Sequence, residues 1–229
     1  MNATQAVRIG CLHAHHSNIP YVEEALASER MERLHFVDPG LIHRLTGGET
    51  GIAEAAAKVK EQLAWIKGSG VDAILVTCTN YIALLDTIPA ETGLAGGSVP
   101  VVPIDEPWFD EVLEQGGEAV LAFTNAATVE GTMGRLRKYA AARGVPLKAE
   151  AAVAGHCFPL LLQGRAEAYH EEVETFLRDL VRNRSGNVVV TQLSMTEAAR
   201  RAEKSLGVEL IQPVRALQRK LRRIFAGMP

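Results

Sequence analysis

The sequence predicts an α/β fold built from two similar halves, and three observations carry that expectation. Short apolar runs rich in Val, Ile and Leu alternate with helical stretches, the pattern of a largely parallel sheet covered on both faces. The runs of the second half repeat those of the first in order and spacing. The chain is 229 residues long, more than one small domain needs and less than two large independent ones need.

In order along the chain, strands are expected at 7–12, 34–37, 73–77 and 99–104, then at 119–123, 147–153, 188–193 and 208–211. The clearest helix runs over 51–67. Thr50 is placed to cap it, Ile52, Ala56, Val59, Leu63 and Ile66 make one apolar face, and Gly68 ends it. Further helices are expected around 170–182 and 213–226. A flexible loop is expected at 93–98, and Gln115-Gly116-Gly117 marks the boundary between lobes 1–115 and 116–229, with the C-terminal helix able to pack back on the first.

The repeat is visible residue by residue. Arg8-Ile9-Gly10-Cys11-Leu12-His13 and Val120-Leu121-Ala122-Phe123-Thr124-Asn125 each lead a strand into a polar loop. Ile74-Leu75-Val76-Thr77-Cys78-Thr79-Asn80-Tyr81 then matches Val188-Val189-Val190-Thr191-Gln192-Leu193-Ser194-Met195, and the two separations differ by two residues. In this alignment Cys78 stands opposite Gln192.

Apolar residues make up 47 % and charged residues 22 %, with a formal charge of −3. That balance excludes disorder, a fibrous repeat and a general polyanion binder. No run approaches the roughly 18 apolar residues of a membrane helix, and the N-terminus lacks a signal-peptide pattern, so a cytoplasmic chain is expected. Cys11, Cys78 and Cys157 are odd in number and far apart, and read as free thiols.

Cys78 stands where an apolar strand gives way to Thr79-Asn80-Tyr81 and a helix. Strand carboxyl ends form the ligand crevice of a doubly wound sheet, and a helix start offers unpaired backbone N–H groups. A thiol there is expected to fall below its free pKa of about 8.5, and a carboxylate is expected to bind beside it. The plainer alternative is a small buried hydrophobe.

Val76-Thr77-Cys78-Thr79-Asn80 resembles the first catalytic-cysteine segment of the aspartate/glutamate racemase superfamily, which includes hydantoin racemases, maleate isomerases and arylmalonate decarboxylases. Phe123-Thr124-Asn125-Ala126-Ala127-Thr128-Val129 resembles the start of that family's second domain. The resemblance implies two flavodoxin-like lobes related by a pseudo-two-fold axis, with the active site between them and no cofactor. It also implies a mechanism in which two cysteines face opposite sides of a carbon next to a carboxylate, one removing a proton and the other returning it.

Gln192 occupies the place of the second cysteine, and an amide transfers no proton near neutral pH. Thr191 or Ser194 offers a weak substitute, and Gln192 can donate hydrogen bonds to an enediolate. Cys157, with His156 beside it, is the other candidate for the second group, against a packed thiol next to a surface imidazole. The expected substrate-binding residues are His15, Ser17, Asn18, Thr79, Asn80, Thr124, Asn125, Thr128, Thr191 and Ser194.

The loop from Cys11 to Asn18 holds three histidines. Cys11, His13 and His15 would share a face of an extended stretch, as metal ligands can, but no second pair such as C-x-x-C appears. The loop is therefore read as a substrate contact, with His15 or His16 supplying charge, and no metal is assigned. Arg215, Arg219, Lys220, Arg222 and Arg223 on the C-terminal helix read as a solvated face. Trp65 and Trp108 read as packing residues.

These readings converge on a cofactor-independent isomerase acting on a small carboxylate: an amino acid, a dicarboxylate or a hydantoin-like compound. No nucleic-acid or membrane partner is expected, and a homodimer is allowed. The alternatives are one-cysteine decarboxylation or cis–trans isomerisation, a carboxylate-binding protein without catalysis, and a Cys–His hydrolase pairing Cys78 with His15 or His156.

Overall fold

A computed structural model describes residues 6–27, 31–85, 87–88 and 99–226; the loop expected at 93–98 lies outside them. The chain divides into two compact units, Met1–Ile104 with Ile224–Pro229, and Asp105–Arg223. The helix Glu106–Gln115 thus falls in the second unit, and the division precedes it.

In the first unit, β1 (Val7–His13), β2 (Met31–Val37), β3 (Ala73–Val76) and β4 (Val101–Pro103) form a parallel sheet in the order β2-β1-β3-β4. Helices α1 (Ile19–Ala25), α2 (Pro39–Thr46), α3 (Ile52–Gly68) and α4 (Thr79–Leu85) connect the strands. Every residue of β3 is buried, as a central parallel strand requires. Helix α3 lies on β1 through Ile66, and Gly10 permits the approach: a Cβ there would run into Ile66 Cγ2.

Three readings of α3 need correction. Gly51 occupies the capping position without a side-chain bond, and Thr50 turns instead to Glu54. Ile52 is 63 % exposed, because the buried stripe is Ala55, Ala56, Val59, Leu63 and Ile66, which begins one turn later. Trp65 is 75 % exposed and packs no core, whereas Trp108 is buried edge-on against Phe109.

The second unit contains α5 (Glu106–Gln115), β5 (Glu118–Phe123), α6 (Val129–Ala142), β6 (Lys148–Val153), α7 (Phe158–Leu162), α8 (Ala166–Asn183), β7 (Asn187–Val190), α9 (Thr196–Leu206) and, as far as Arg223, α10 (Pro213–Phe225). Its parallel sheet runs β6-β5-β7. The period-two alternation of β5 divides the core cleanly. Val120 and Ala122 join Tyr169, Val173 and Ala199 on one face, and Leu121 and Phe123 join Met133, Leu136 and Trp108 on the other.

The strand expected at 208–211 contracts to a single bridge between Val189 and Ile211. The strand expected at 188–193 stops at Val190, where the chain turns into a 3₁₀ segment, Leu193–Met195. Basic residues of α10 do not form a simple solvated face. Lys220 pairs with Asp110 at 2.9 Å, Arg219 with Glu111 at 3.1 Å and Arg223 with Glu114 at 3.2 Å, lining α10 along the acidic side of α5.

Gly186 opens β7 with φ +103°, and a Cβ on it would strike the carbonyl of Glu118 on the neighbouring strand. Side chains rarely tolerate that backbone, and the obstacle is rigid main chain. Gly186→Ala is therefore expected to destabilise the protein by about 3 kcal/mol, measured as a shift of the denaturant midpoint. A change under roughly 1 kcal/mol would show that β5 and β7 can move apart freely at this point.

Candidate active site

The strand orders place a topological switch between β1 and β3 in one unit and between β5 and β7 in the other. The carboxyl ends on either side of such a switch form the natural crevice of an open parallel sheet. The residues singled out in the sequence follow those ends. Each switch is also built by an equivalent bond: Thr77 Oγ1 donates to the Leu12 carbonyl at 3.3 Å, and Thr191 Oγ1 donates to the Ala122 carbonyl at 2.8 Å. Leu12 pairs with Val76 in one sheet and Ala122 with Val190 in the other, so the repeat is present in the hydrogen bonding, but in a register two residues away from the sequence alignment, which sets Leu12 opposite Thr124.

In the first unit, Cys78 is half-buried immediately before α4. Backbone N–H groups of Tyr81 and Asn80 bond its sulfur and pull the thiol pKa down, but burial acts more strongly and leaves it above its ordinary value of 9.0. The expected activated thiolate is therefore corrected. Desolvation of a strand-end sulfur outweighs the two N–H groups, and Cys78 is a protonated thiol at neutral pH. Beside it, Thr79 is half-buried and Asn80 exposed.

The loop after β1 reaches the same place. Asn18 Nδ2 donates to Thr77 Oγ1 at 3.2 Å, tying that loop to the turn that carries Cys78. His15 and Ser17 stay exposed and bond each other, Nδ1 to Oγ at 2.9 Å. His13 is wholly buried, with Nδ1 2.8 Å from Thr77 Oγ1 and Nε2 2.9 Å from Nδ1 of His35. Burial, and then the neighbouring His35, pull His13 down to about 4, so it is a neutral imidazole. His35 was not singled out in the sequence; its β2 position opposite Cys11 is what brings it in.

In the second unit Gln192 is the hub. Its Oε1 accepts from Thr124 N at 2.7 Å, from Thr124 Oγ1 at 3.0 Å and from Asn125 N at 3.2 Å. Two backbone N–H groups and a hydroxyl can only converge on an acceptor, so the orientation of the amide is set by chemistry. Thr124 and Asn125 thus hold an oxygen as expected, but that oxygen belongs to the protein.

The remaining residues of the second unit are engaged locally. Thr124 Oγ1 and Ser194 Oγ flank the hydroxyl of Tyr169 at 3.2 and 2.9 Å. Asn125 Oδ1 accepts from Ala127 N at 3.1 Å, and Thr128 Oγ1 donates to the Asn125 carbonyl at 2.9 Å. Tyr169 is, with His35, a residue that sequence reading missed. It lies in the apolar stripe of α8, and only its hydroxyl reaches the strand ends.

Cys157 and His156 sit after β6, 3.5 Å apart. Cys157 is packed in the core facing α8, and burial pushes its thiol up to about 11; the imidazole is exposed, 3.5 Å from Glu172. This is the arrangement of a packed thiol beside a surface imidazole.

Two parallel-sheet units with polar turns at equivalent switch points define the class: a duplicated α/β protein with a thiol at one strand exit and an amide at the other. Residues 18–221 match the family model Asp/Glu/Hydantoin racemase, and the chain belongs to that family. Similar solved structures include the allantoin racemase of Klebsiella pneumoniae, 22 % identical with TM-score 0.66 over 96 % of this chain and 88 % of that one. The Picrophilus torridus aspartate racemase is 13 % identical with TM-score 0.69 over 96 % and 94 %. A glutamate racemase of Bacillus anthracis is 17 % identical with TM-score 0.66 over 98 % and 83 %. These likenesses establish the fold. No curated protein sequence matches the chain. Among the described residues, no helix is long and apolar enough to cross a membrane.

Proposed function

We propose that this chain is an isomerase-type enzyme acting on a small carboxylate, with the Cys78 thiol as the group that exchanges a proton with, or adds to, the carbon next to that carboxylate. The observation that carries this reading is the sulfur at the β1–β3 switch, bonded by the N–H groups of Asn80 and Tyr81. In the forward step the thiolate takes the proton from carbon, the electron pair passes to the carboxylate as an enediolate, and Thr79 and Asn80 are the donors proposed to meet that charge. Return of the proton to the same face restores the substrate; return to the other face inverts it.

A second reading, one-sided thiol chemistry, is favoured by Gln192. With its oxygen held by three donors, what the amide offers a substrate is the Nε2 group, which donates a hydrogen bond but neither gives up nor accepts a proton near neutral pH. Protonation after decarboxylation, or cis–trans isomerisation through a thiol adduct, needs one thiol only.

The test is a panel of aspartate, glutamate, allantoin, hydantoins and unsaturated dicarboxylates incubated with the protein in deuterated water and followed by NMR. Exchange from both enantiomers of one compound supports two-sided transfer. Exchange from one enantiomer, decarboxylation or isomerisation supports the one-thiol reading. Ligands that raise Tm without any exchange or conversion would overturn the enzymatic reading and leave a carboxylate-binding protein.

A further inference from the structure

Cys11 and His13 lie two residues apart on β1, and His35 is the β2 partner of Cys11, so parallel pairing and the two-residue pleat put all three on one side of the sheet. Their ligand atoms lie within 4.8 Å of one another. Cys11 and His13 are fully buried and His35 is half-buried. At the corresponding places in the second unit stand Leu121 and Phe123, both packed in the core, and Ala151, an exposed alanine of the edge strand. The fold therefore does not need a thiol and two imidazoles here.

The hydrogen bonds around the cluster point the same way. The outward nitrogen of each imidazole has an oxygen partner: Nδ1 of His13 lies 2.8 Å from Thr77 Oγ1, and Nε2 of His35 lies 2.8 Å from Glu23 Oε1. Thr77 directs its own proton to the Leu12 carbonyl, which leaves its oxygen to accept from His13. In the tautomers with both outward nitrogens protonated, two lone pairs face each other across 2.9 Å beside the Cys11 sulfur, an arrangement that a proton shared between the rings or a bound cation resolves. A carboxylate and a hydroxyl holding the far nitrogens are also the usual outer shell of metal-bound histidines.

We infer that the first unit binds one divalent transition-metal ion of the Zn²⁺ class on Cys11 Sγ, His13 Nε2 and His35 Nδ1. One thiol and two imidazoles suit this class, and donor atoms in a four-coordinate site stand about 3–4 Å apart, a small adjustment from the spacing present. On binding, the thiol proton leaves to solvent and both histidines keep their outward protons. The ion ties β1 to β2 and, through the His13–Thr77 bond, steadies the turn before Cys78; it takes no part in the thiol step.

The test is titration of the chelator-stripped, reduced full-length chain with Co²⁺ and then Zn²⁺. One equivalent of Co²⁺ is expected to give intense visible bands and a thiolate-to-cobalt charge-transfer band, both erased by Zn²⁺, with Tm rising by several degrees on Zn²⁺ saturation. Cys11→Ser is expected to lose the charge-transfer band, and Cys78→Ser to keep it. Should Cys11→Ser fail to fold, His35→Gln, at a half-buried position, is expected to weaken Co²⁺ binding by at least ~10-fold. Absence of the charge-transfer band in the folded wild type, its loss in Cys78→Ser, or unchanged affinity in folded His35→Gln would overturn the assignment.

Discussion

Cys78→Ala is expected to lower kcat/KM on the true substrate by about 10²–10⁴-fold, the usual contribution of a positioned proton-transfer group, while the fold survives. The residue is half-buried at a strand exit, outside the packed faces of the sheet, so losing the sulfur removes chemistry more than core. The pH dependence follows from the same geometry. Burial holds the thiol above 9.0, and the N–H groups of Tyr81 and Asn80 recover only part of that shift. Because the deprotonated form is the base, activity rises as pH rises, and the wild-type profile is expected to keep climbing from about pH 7 through pH 9.0 without a plateau. A profile flat over that interval, or Cys78→Ala with undiminished turnover, would remove the thiol from the mechanism.

The parts of the molecule that were legible in the sequence are those whose signal is local. β1, β3 and β5 are runs buried on both faces, and such runs read as strands without knowledge of their neighbours. β2 begins at Met31, three residues before its expected start, because Glu32 and Arg33 look like loop. They are tolerated at the sheet edge, where Glu32 pairs with Arg8 and Arg33 with Glu23. Cys78 was legible as a polar break after an apolar run. The sign of its pKa shift was not, since two bonding N–H groups are implied by a helix start but the extent of desolvation is a tertiary quantity.

The same division explains the histidines. His15 appeared to belong with Cys11 and His13 because it continues their alternation, but the strand ends at His13 and His15 turns outward to Ser17. His35 takes its place from 22 residues away, through strand register alone. Tyr169 was hidden for a related reason: its ring obeys the helical stripe of α8, and nothing in that periodicity reveals where the hydroxyl ends.

Gln192→Ala is the substitution that separates an unreactive replacement for a cysteine from a structural part of the second unit. The amide oxygen receives donors 67 and 68 residues away in sequence, from a Thr124 that is itself fully buried. Removing it leaves two N–H groups and a hydroxyl facing a small void. Thr124 Oγ1 keeps Tyr169, and water can enter a partly exposed site, so the expected loss is about 2 kcal/mol, or a fall in Tm of roughly 4 °C. Gln192→Glu retains an oxygen for the same donors and adds charge to their bonds, so it is expected to lose much less stability at neutral pH.

The emptied donor set should also become an anion site. Formate or acetate is therefore expected to raise the Tm of Gln192→Ala well beyond any effect on the wild type, in which that place is filled. If Gln192→Ala is as stable as wild type, the three bonds do no structural work; if it is equally indifferent to formate, the emptied donors do not hold a carboxylate. If rescue is seen, the Thr124–Asn125 turn is an anion-holding donor set that this chain fills with its own amide.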